Sequence, residues 1–243
     1  MPIDSFNPQL APAGSEAGPD PTSQPRRVTA PPFEPVGSQE EPSPAPAATA
    51  TPPTETATLQ FVGGVSNLVI SVDPMLTHRY AARFEGPQPE VTEFGNQITI
   101  RYPCSPFAWG RTEAEVRLRP DVAWTLRLRG GASRADIDVR DLDLRGFDIS
   151  GGVSRMDLAL GDVHGTVSVR VHGGVSRVDI TRPHAVPAQL EVNGGASRLS
   201  LDDQMLGAIG GATRLQSGGF ESAQDRLQVE VRGGASRLSV ARR

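Results

Sequence analysis

Gly194-Gly195-Ala196-Ser197-Arg198-Leu199-Ser200-Leu201 contains one copy of a motif, Gly-Gly-[Ala/Val]-[Ser/Thr]-Arg, that recurs through the second half of the chain. Six copies follow one another at intervals of 21, 22, 21, 16 and 23 residues. They begin at Gly130, Gly151, Gly173, Gly194, Gly210 and Gly233. A related stretch, Gly63-Gly64-Val65-Ser66-Asn67, precedes them. Recurrence at such a period is typical of stacked units in which each repeat packs on the next.

Alternating apolar residues flank each glycine pair. In one copy Leu190 and Val192 alternate with polar residues before the glycines, and Leu199 and Leu201 do so after them. This period of two indicates half-buried strands, and a glycine pair permits a sharp bend or a close backbone approach. We therefore predict an all-β fold, a β-solenoid-like stack of 21-residue repeats with Gly-Gly corners. The predicted corners are Gly130, Gly131, Gly151, Gly152, Gly173, Gly174, Gly194, Gly195, Gly210, Gly211, Gly233 and Gly234.

Composition divides the chain into two parts. Residues 1–57 are rich in Pro, Ala, Ser and Thr, and are predicted to be a disordered tail because they hold too few large apolar side chains. Residues 58–243 are predicted to form the stacked domain, with irregular meander rungs over 58–129 and the six repeats over 130–243. Strands are predicted in the meander at 79–84, 90–94, 97–102, 113–118 and 123–128, with Gly95-Asn96 as a tight turn.

Stacking in register would place equivalent residues of successive repeats in rows about 4.8 Å apart. By parity with the apolar residues, the hydroxyl residues of the motif should point inward and the arginines outward, unless a bulge at the corner reverses the two faces. The predicted inner row is Ser133, Ser154, Ser176, Ser197, Thr213 and Ser236. The predicted outer row is Arg134, Arg155, Arg177, Arg198, Arg214 and Arg237.

The arginine row is the candidate binding surface. Asp136, Asp157 and Asp179 follow the first three arginines by two residues and are expected to neutralise that half of the row. The C-terminal arginines then either engage a polyanion, such as an acidic glycan or nucleic acid, or knit the repeats together by pairing with carboxylates and carbonyls.

Two further features of the repeats, a short interval and the last strand, bear on how the stack ends. The interval of 16 residues after Gly194 predicts a trimmed return loop. The final strand, which ends in Ala241-Arg242-Arg243, has no obvious cap after it, so either residues fold back over it or another copy of the chain covers it.

Composition argues against several classes of protein. The net charge of −4 gives no strong global attraction to nucleic acid or anionic membrane, and 5% aromatic residues are few for a base-stacking surface. The single Cys104 excludes an intramolecular disulfide within this chain and is predicted to be an ordinary loop cysteine. No apolar run is long enough for a membrane span and no secretory signal is visible, which predicts a cytoplasmic protein.

No chemical motif rises above this background, so we predict neither a cofactor nor a metal. Asp141-Leu142-Asp143-Leu144-Arg145-Gly146 resembles the opening of a calcium loop, but an arginine occupies a ligand position and no glutamate closes the loop. The candidate catalytic residues of the irregular region, Glu113, Asp121 and His78, have no distinctive spacing. The other histidines, His164, His172 and His184, are predicted to be surface or turn residues.

The repeated Gly-Gly-Ala-Ser-Arg-Leu units, preceded by Asn96-Gln97-Ile98-Thr99-Ile100-Arg101 and by 116–122, resemble the bacterial DUF4097-type β-strand-repeat proteins over residues 58–243. Proteins of this family are often labelled putative adhesins. The resemblance implies a stacked β-fold without known catalytic residues. We predict a non-enzymatic structural or interaction protein that presents a repetitive rigid β surface, adhesin-like or scaffold.

The alternative function is a polyanion-binding module that uses Arg198, Arg214 and Arg237, and an enzyme of unknown substrate is the third hypothesis. The expected partners are a protein not identified by the sequence or a polyanionic polymer, together with a homo-oligomer formed through the terminal repeat.

Overall fold

The computed structural model describes residues 55–103 and 111–243, and these residues form β-strands, turns and loops without any helix. Within this part of the chain there is accordingly no helix that is long and apolar enough to cross a membrane. The predicted tail lies almost entirely outside the described residues, and Cys104 lies wholly outside them. The predicted all-β class is confirmed.

The strands, in chain order, are β1 (Glu55–Val62), β2 (Val65–Val72), β3 (Tyr80–Glu85), β4 (Glu90–Phe94), β5 (Gln97–Arg101), β6 (Glu113–Leu118), β7 (Val122–Arg129), β8 (Ala132–Val139), β9 (Asp143–Ser150), β10 (Val153–Leu160), β11 (Thr166–His172), β12 (Val175–Arg182), β13 (Ala188–Val192), β14 (Ala196–Leu201), β15 (Gln204–Ile209), β16 (Thr213–Gln216), β17 (Arg226–Arg232) and β18 (Ala235–Arg242). The five strands predicted in the meander are present as β3 to β7, and Gly95-Asn96 forms the turn of the β4–β5 hairpin.

Two nine-stranded sheets enclose a single apolar core. The first, sheet A, has the order β16-β13-β17-β11-β9-β7-β1-β5-β4, and the second, sheet B, has the order β15-β14-β18-β12-β10-β8-β2-β6-β3. The two orders correspond strand for strand, so the protein is a stack of nine layers with one strand of each layer in each sheet. A Gly-Gly corner leads from sheet A to sheet B in six of these layers, namely β1–β2, β7–β8, β9–β10, β11–β12, β13–β14 and β17–β18, and in the end layer Gly210-Gly211 leads in the opposite direction, from β15 to β16.

Layer order departs from chain order at two places. The last repeat, β17–β18, lies between β11–β12 and β13–β14, with parallel pairing on both sides. Near the other end, β5 and β6 lie outside β1 and β2. The expectation that the final strand terminates the stack is therefore wrong, because β14 covers β18 directly.

Antiparallel strands close both ends of the stack. The pair β3 and β4 lies antiparallel on β6 and β5, and the pair β15 and β16 lies antiparallel on β14 and β13. The 16-residue interval after Gly194 thus holds a β14–β15 hairpin with the turn Asp202-Asp203, and the predicted return loop was wrong. The copy at Gly210 belongs to the joint between β15 and β16 and is not equivalent to the other corners.

The corner glycines are required by close backbone approach between layers. A Cβ on Gly151 would lie 2.6 Å from the amide nitrogen of Gly131, and a Cβ on Gly173 would lie 2.4 Å from the carbonyl oxygen of Gly151. Gly233 approaches Gly173 in the same way, and Gly194 approaches Gly233. Gly210 has nothing within 4 Å of such a Cβ. Equivalent corners therefore stack on one another in layer order. The Gly210 copy lies at the end of this stack, next to the Gly194 corner, where the amide of Gly195 donates to the carbonyl oxygen of Gly211 at 3.2 Å.

The alternation of apolar residues is confirmed by burial. The flanking positions of each stacked copy lie in the core with 3% exposure or less, as Leu190, Leu199, Val231 and Leu238 illustrate. The inner faces of both sheets contribute to this one cluster, which runs the length of the stack. Burial of a contiguous core between layers is what a single repeat could not achieve alone.

A buried ionic network links three layers at the C-terminal ends of their strands in sheet B. The Arg182 guanidinium is fully buried at the end of β12, and it donates to Asp202 Oδ2 at 2.6 Å and to the carbonyl oxygen of Val186. Arg242 Nε, at the end of β18, lies 3.1 Å from the same Asp202 oxygen. Burial lowers the pKa of Arg182, an effect that Asp202 opposes. Since Asp202 follows β14, this network fastens the inserted β18 to the layers on either side.

Candidate functional site

The serines of the motif point outward, next to the arginines. In β12, Val175 and Val178 are buried, while Ser176 and Arg177 between them are exposed. Between β10 and β12, Val153 pairs with Val175 and Arg155 pairs with Arg177, but the serines between them do not pair across the strands. This local bulge turns two consecutive side chains to solvent. The predicted inner hydroxyl row was therefore wrong, whereas the outward direction of these arginines was correct.

Five arginines form one continuous row across sheet B. Register pairs Arg134 with Arg155, Arg155 with Arg177, Arg177 with Arg237, and Arg237 with Arg198. Because neighbouring strands lie about 4.8 Å apart, the row runs along the stack axis at that spacing. The order follows the layers, so Arg237 lies inside the row and Arg198 ends it.

Arg214 does not belong to this row. It lies on β16 in sheet A, where it pairs with Glu191 of β13, and its Nη2 is 2.8 Å from Glu191 Oε2. Thr213 likewise lies outside the row of serines. The prediction that all six copies contribute equivalent residues was wrong, because the copy at Gly210 connects two antiparallel end strands.

A groove of about 930 Å³ follows the row. The five arginines line it together with the serine that precedes each of them, and we call this feature the Ser–Arg groove. Ser66, Asn67, Arg111 and Glu113 line its far end, beyond Arg134. None of the described residues that line the groove is aromatic.

The five arginines have no acidic partner among residues 55–103 and 111–243. Within these ranges no carboxylate oxygen lies within 4.0 Å of their guanidinium nitrogens, although other arginines of the protein form such pairs. Asp136, Asp157 and Asp179 form a parallel row of their own in the same register, and Ser239 and Ser200 continue it. Direct ion pairs between these aspartates and the first three arginines are therefore absent from the described residues, but the aspartates lie beside that half of the row on the same face of the sheet.

The alignment of five guanidinium groups has an electrostatic cost in the free protein. Two unit charges at 4.8 Å repel by about 0.9 kcal/mol in water, and the row has four neighbouring pairs. Separate side-chain conformations and salt reduce this energy. The aspartate row, two residues away on the same strands, offsets part of it beside the first three arginines, but serines take its place beside Arg237 and Arg198. An anionic ligand that bridges neighbouring arginines would relieve the repulsion, so the row is poised for anions.

The candidate catalytic residues are not brought together. Glu113 begins β6, whereas Asp121 and His78 lie beyond the other end of that strand, where the backbone of Arg119 donates to the carbonyl oxygen of Arg79. The extended strand β6 places its two ends about 17 Å apart. Asp121 forms an ion pair with Arg119 instead. In the described part of the chain no cluster of three or more His, Cys, Asp or Glu residues could hold a metal ion.

Comparison with known proteins supports the fold. Residues 88–181 match the family model Toast_rack_N, described as the N-terminal domain of toast_rack, DUF2154. The matched residues begin just before β4 and end within β12, and they make up less than half of the sequence. No curated protein matches the chain significantly.

Two solved structures are similar to this chain. A putative cell adhesion protein from Clostridium sporogenes ATCC 15579 has a TM-score of 0.60 at 16% identity, over 79% of this chain and 96% of its own. A putative adhesin from Bacteroides fragilis NCTC 9343 has a TM-score of 0.29 at 8% identity, over 78% of this chain and 93% of its own. The first shares the fold of this chain, whereas a TM-score of 0.29 does not indicate a common fold for the second.

Proposed function

We propose that the protein is a non-enzymatic, adhesin-like binding module that uses the Ser–Arg groove to hold a polyanionic polymer. The observation that carries the proposal is the row of five arginines in register without a carboxylate within 4.0 Å in the described chain. A rigid stack fixes this spacing before any ligand arrives, so little conformational freedom of the backbone is lost on binding. The shared fold with a protein named for cell adhesion is consistent with a binding role.

The architectural alternative, in which arginines knit the layers together, receives less support. Arginines that serve this role in the protein have identifiable partners, as Arg182 has in Asp202 and Arg214 has in Glu191. The groove arginines form no comparable contact within the described residues, where hydrogen bonds from their side chains to other protein groups are also absent. Their removal should therefore affect binding more than stability.

Heparin labelled with a fluorophore is a suitable first probe, with affinity measured by fluorescence anisotropy at several salt concentrations. A ligand that engages all five arginines should show a salt slope of roughly −3.5, using about 0.7 released counterions per contact. Affinity would then fall about 100-fold between 50 and 200 mM salt. An affinity that does not change with salt would contradict the proposal.

Matched variants separate the groove from the total charge of the protein. Three groove substitutions are Arg155→Gln, Arg177→Gln and Arg237→Gln, and three controls on exposed positions of sheet A are Arg101→Gln, Arg127→Gln and Arg129→Gln. Both triple variants lower the net charge equally, but only the first should lose binding and about 2 units of salt slope. Equal loss in both variants would show a non-specific charge effect.

Three finer predictions stay open. These are membership of the DUF4097-type family, a cytoplasmic location and a protein partner. Fractionation of cells that express the full chain tests the predicted location. Recovery of the protein outside the cytoplasm would rule out the cytoplasmic prediction.

A further inference from the structure

The arginine row has two defined ends. Beyond Arg198 the register position on β15 is occupied by Gly207, which has no side chain. Beyond Arg134 the same position is occupied by Asn67 on β2, then by Glu113 on β6. The row of like charges is therefore five arginines long, and four intervals of about 4.8 Å make it about 19 Å in length.

The end at Asn67 offers a polyanion no net favourable charge. Glu113 lines the groove there and has no ion pair within the described residues, while Arg111 lines the same end and offsets its charge. Asn67 Oδ1 is buried without a hydrogen-bond partner in the described structure. Because that oxygen is buried and the side chain is uncharged, Asn67 presents no charge to a ligand in the groove, and a chain that extends past Arg134 loses the attraction it had along the row.

The walls of the groove indicate the chemistry of the anionic groups. Each layer of the row provides a guanidinium and, from the preceding residue, a serine hydroxyl that lines the same groove. A guanidinium alone can satisfy the two oxygens of a carboxylate, whereas a sulfate or phosphate group has a further oxygen that a hydroxyl can bind. The absence of aromatic side chains among the described lining residues leaves nucleobases without an aromatic stacking partner.

We propose that the Ser–Arg groove holds five consecutive sulfate or phosphate groups of a linear, non-aromatic polyanion laid along the stack axis, with its anionic run ending at Asn67. This inference rests on the proposed function and adds to it the length, the direction and the chemical class of the ligand. The arginines supply the charge, the serines select tetrahedral oxoanions, and the Asn67 position limits the length of the site.

A series of probes of defined length tests the proposal in the full chain. Oligosaccharides that carry one sulfate or one phosphate group per sugar unit, with three to eight such groups, are titrated at low salt. Each added group should raise affinity roughly 2- to 5-fold up to five groups, after which the gain becomes small. Both kinds of probe should show this plateau, and the one that binds more tightly identifies the source of the oxoanions.

Two variants move the plateau in opposite directions. Asn67→Arg places an arginine at a register position where the five following layers already accommodate one, and should move the plateau to six groups. Arg198→Gln should move it to four. Thr99→Arg, on a half-buried position of β5 in sheet A, adds the same charge away from the groove and should leave the plateau at five.

The outcomes distinguish this inference from the proposed function. Failure of every polyanion to bind in a salt-dependent manner would overturn both. Salt-dependent binding without a plateau, or with a plateau that neither variant moves, would overturn the proposed length while the polyanion function stands. Equal affinity for polyglutamate of matched length, or tighter binding of a single-stranded oligonucleotide, would overturn the oxoanion class.

Discussion

Replacement of Asp202 by asparagine should cause a large loss of stability. Asp202 is the only carboxylate, among the described residues, that lies within 4.0 Å of the fully buried Arg182, and its own side chain is 10% exposed. Asparagine has nearly the same shape and tolerates the positive φ of 52° found at this position, so the substitution removes the charge and little else. Arg182 and Arg242 would then face each other across a neutral amide.

The magnitude follows from the burial of the network. Removal of one partner from a buried ion pair costs about 3–5 kcal/mol, because the remaining charge stays buried without compensation. The amide oxygen of asparagine can still accept one hydrogen bond from Arg182, which places the expected loss near the lower limit, at about 3 kcal/mol. For a domain of this size, that corresponds to a fall of about 6–12 °C in Tm.

Thermal unfolding followed by circular dichroism, together with urea unfolding, measures this effect. Asp203→Asn is the matched control, since Asp203 is the exposed neighbour in the same turn and should change stability by less than about 0.5 kcal/mol. Arg242→Gln, which removes a partner that is 35% exposed, should have an intermediate effect. If Asp202→Asn unfolds at the same temperature as the Asp203 variant, the network does not fasten the layers and this reasoning is refuted.

Other perturbations test the corners, the row and the surface pairs. Gly151→Ala should cost roughly 2–5 kcal/mol in urea unfolding, through a backbone clash at a positive φ, whereas Gly210→Ala should be nearly neutral; similar losses would contradict corner stacking. Arg177→Gln should leave Tm nearly unchanged at low salt, because relief of repulsion between arginines and loss of attraction to the neighbouring aspartate row oppose each other, and a fall of several degrees would favour the architectural role. The guanidinium of Arg140 holds the pKa of Asp138 below its usual range, so the pair stabilises the fold above the unfolded pKa of about 4, and this contribution is lost as pH falls through the lower folded pKa. Between pH 5 and 2 the urea midpoint of Asp138→Asn should therefore fall less than that of the wild type, because the variant has no carboxylate to protonate at this position. Equal falls in the two urea midpoints would show that the pair does not stabilise the fold.

The strands and their buried faces could be predicted because alternation and burial are local consequences of the same geometry. The direction of the serines was mispredicted although the motif held a signal. In Val175-Ser176-Arg177-Val178 the two buried valines are three residues apart, a spacing that a regular strand cannot bury on one face. A bulge with two consecutive outward residues was the consistent solution.

The layer order could not be predicted from the motif, because the repeats are nearly interchangeable. Leu199 on β14 and Leu238 on β18 occupy the same core position, so either repeat would satisfy the apolar edge of β12. What distinguishes them is the network of Arg182, Asp202 and Arg242, which depends on residues from three separate repeats. The interval of 16 residues was a usable signal, since it leaves room for only a two-residue connection between β14 and β15, and a connection this short joins antiparallel strands.

The insertion of the last repeat has a consequence for biosynthesis. A ribosome delivers β13 and β14 before β17 and β18, so the nascent chain holds an unfilled slot next to β12 until residues 226–242 emerge. Closure of that slot must follow translation of the whole repeat region, and a premature contact between β12 and β14 would be a kinetic trap. The finished groove, whose row includes Arg237 between Arg177 and Arg198, is therefore assembled last, as a property that only the complete molecule possesses.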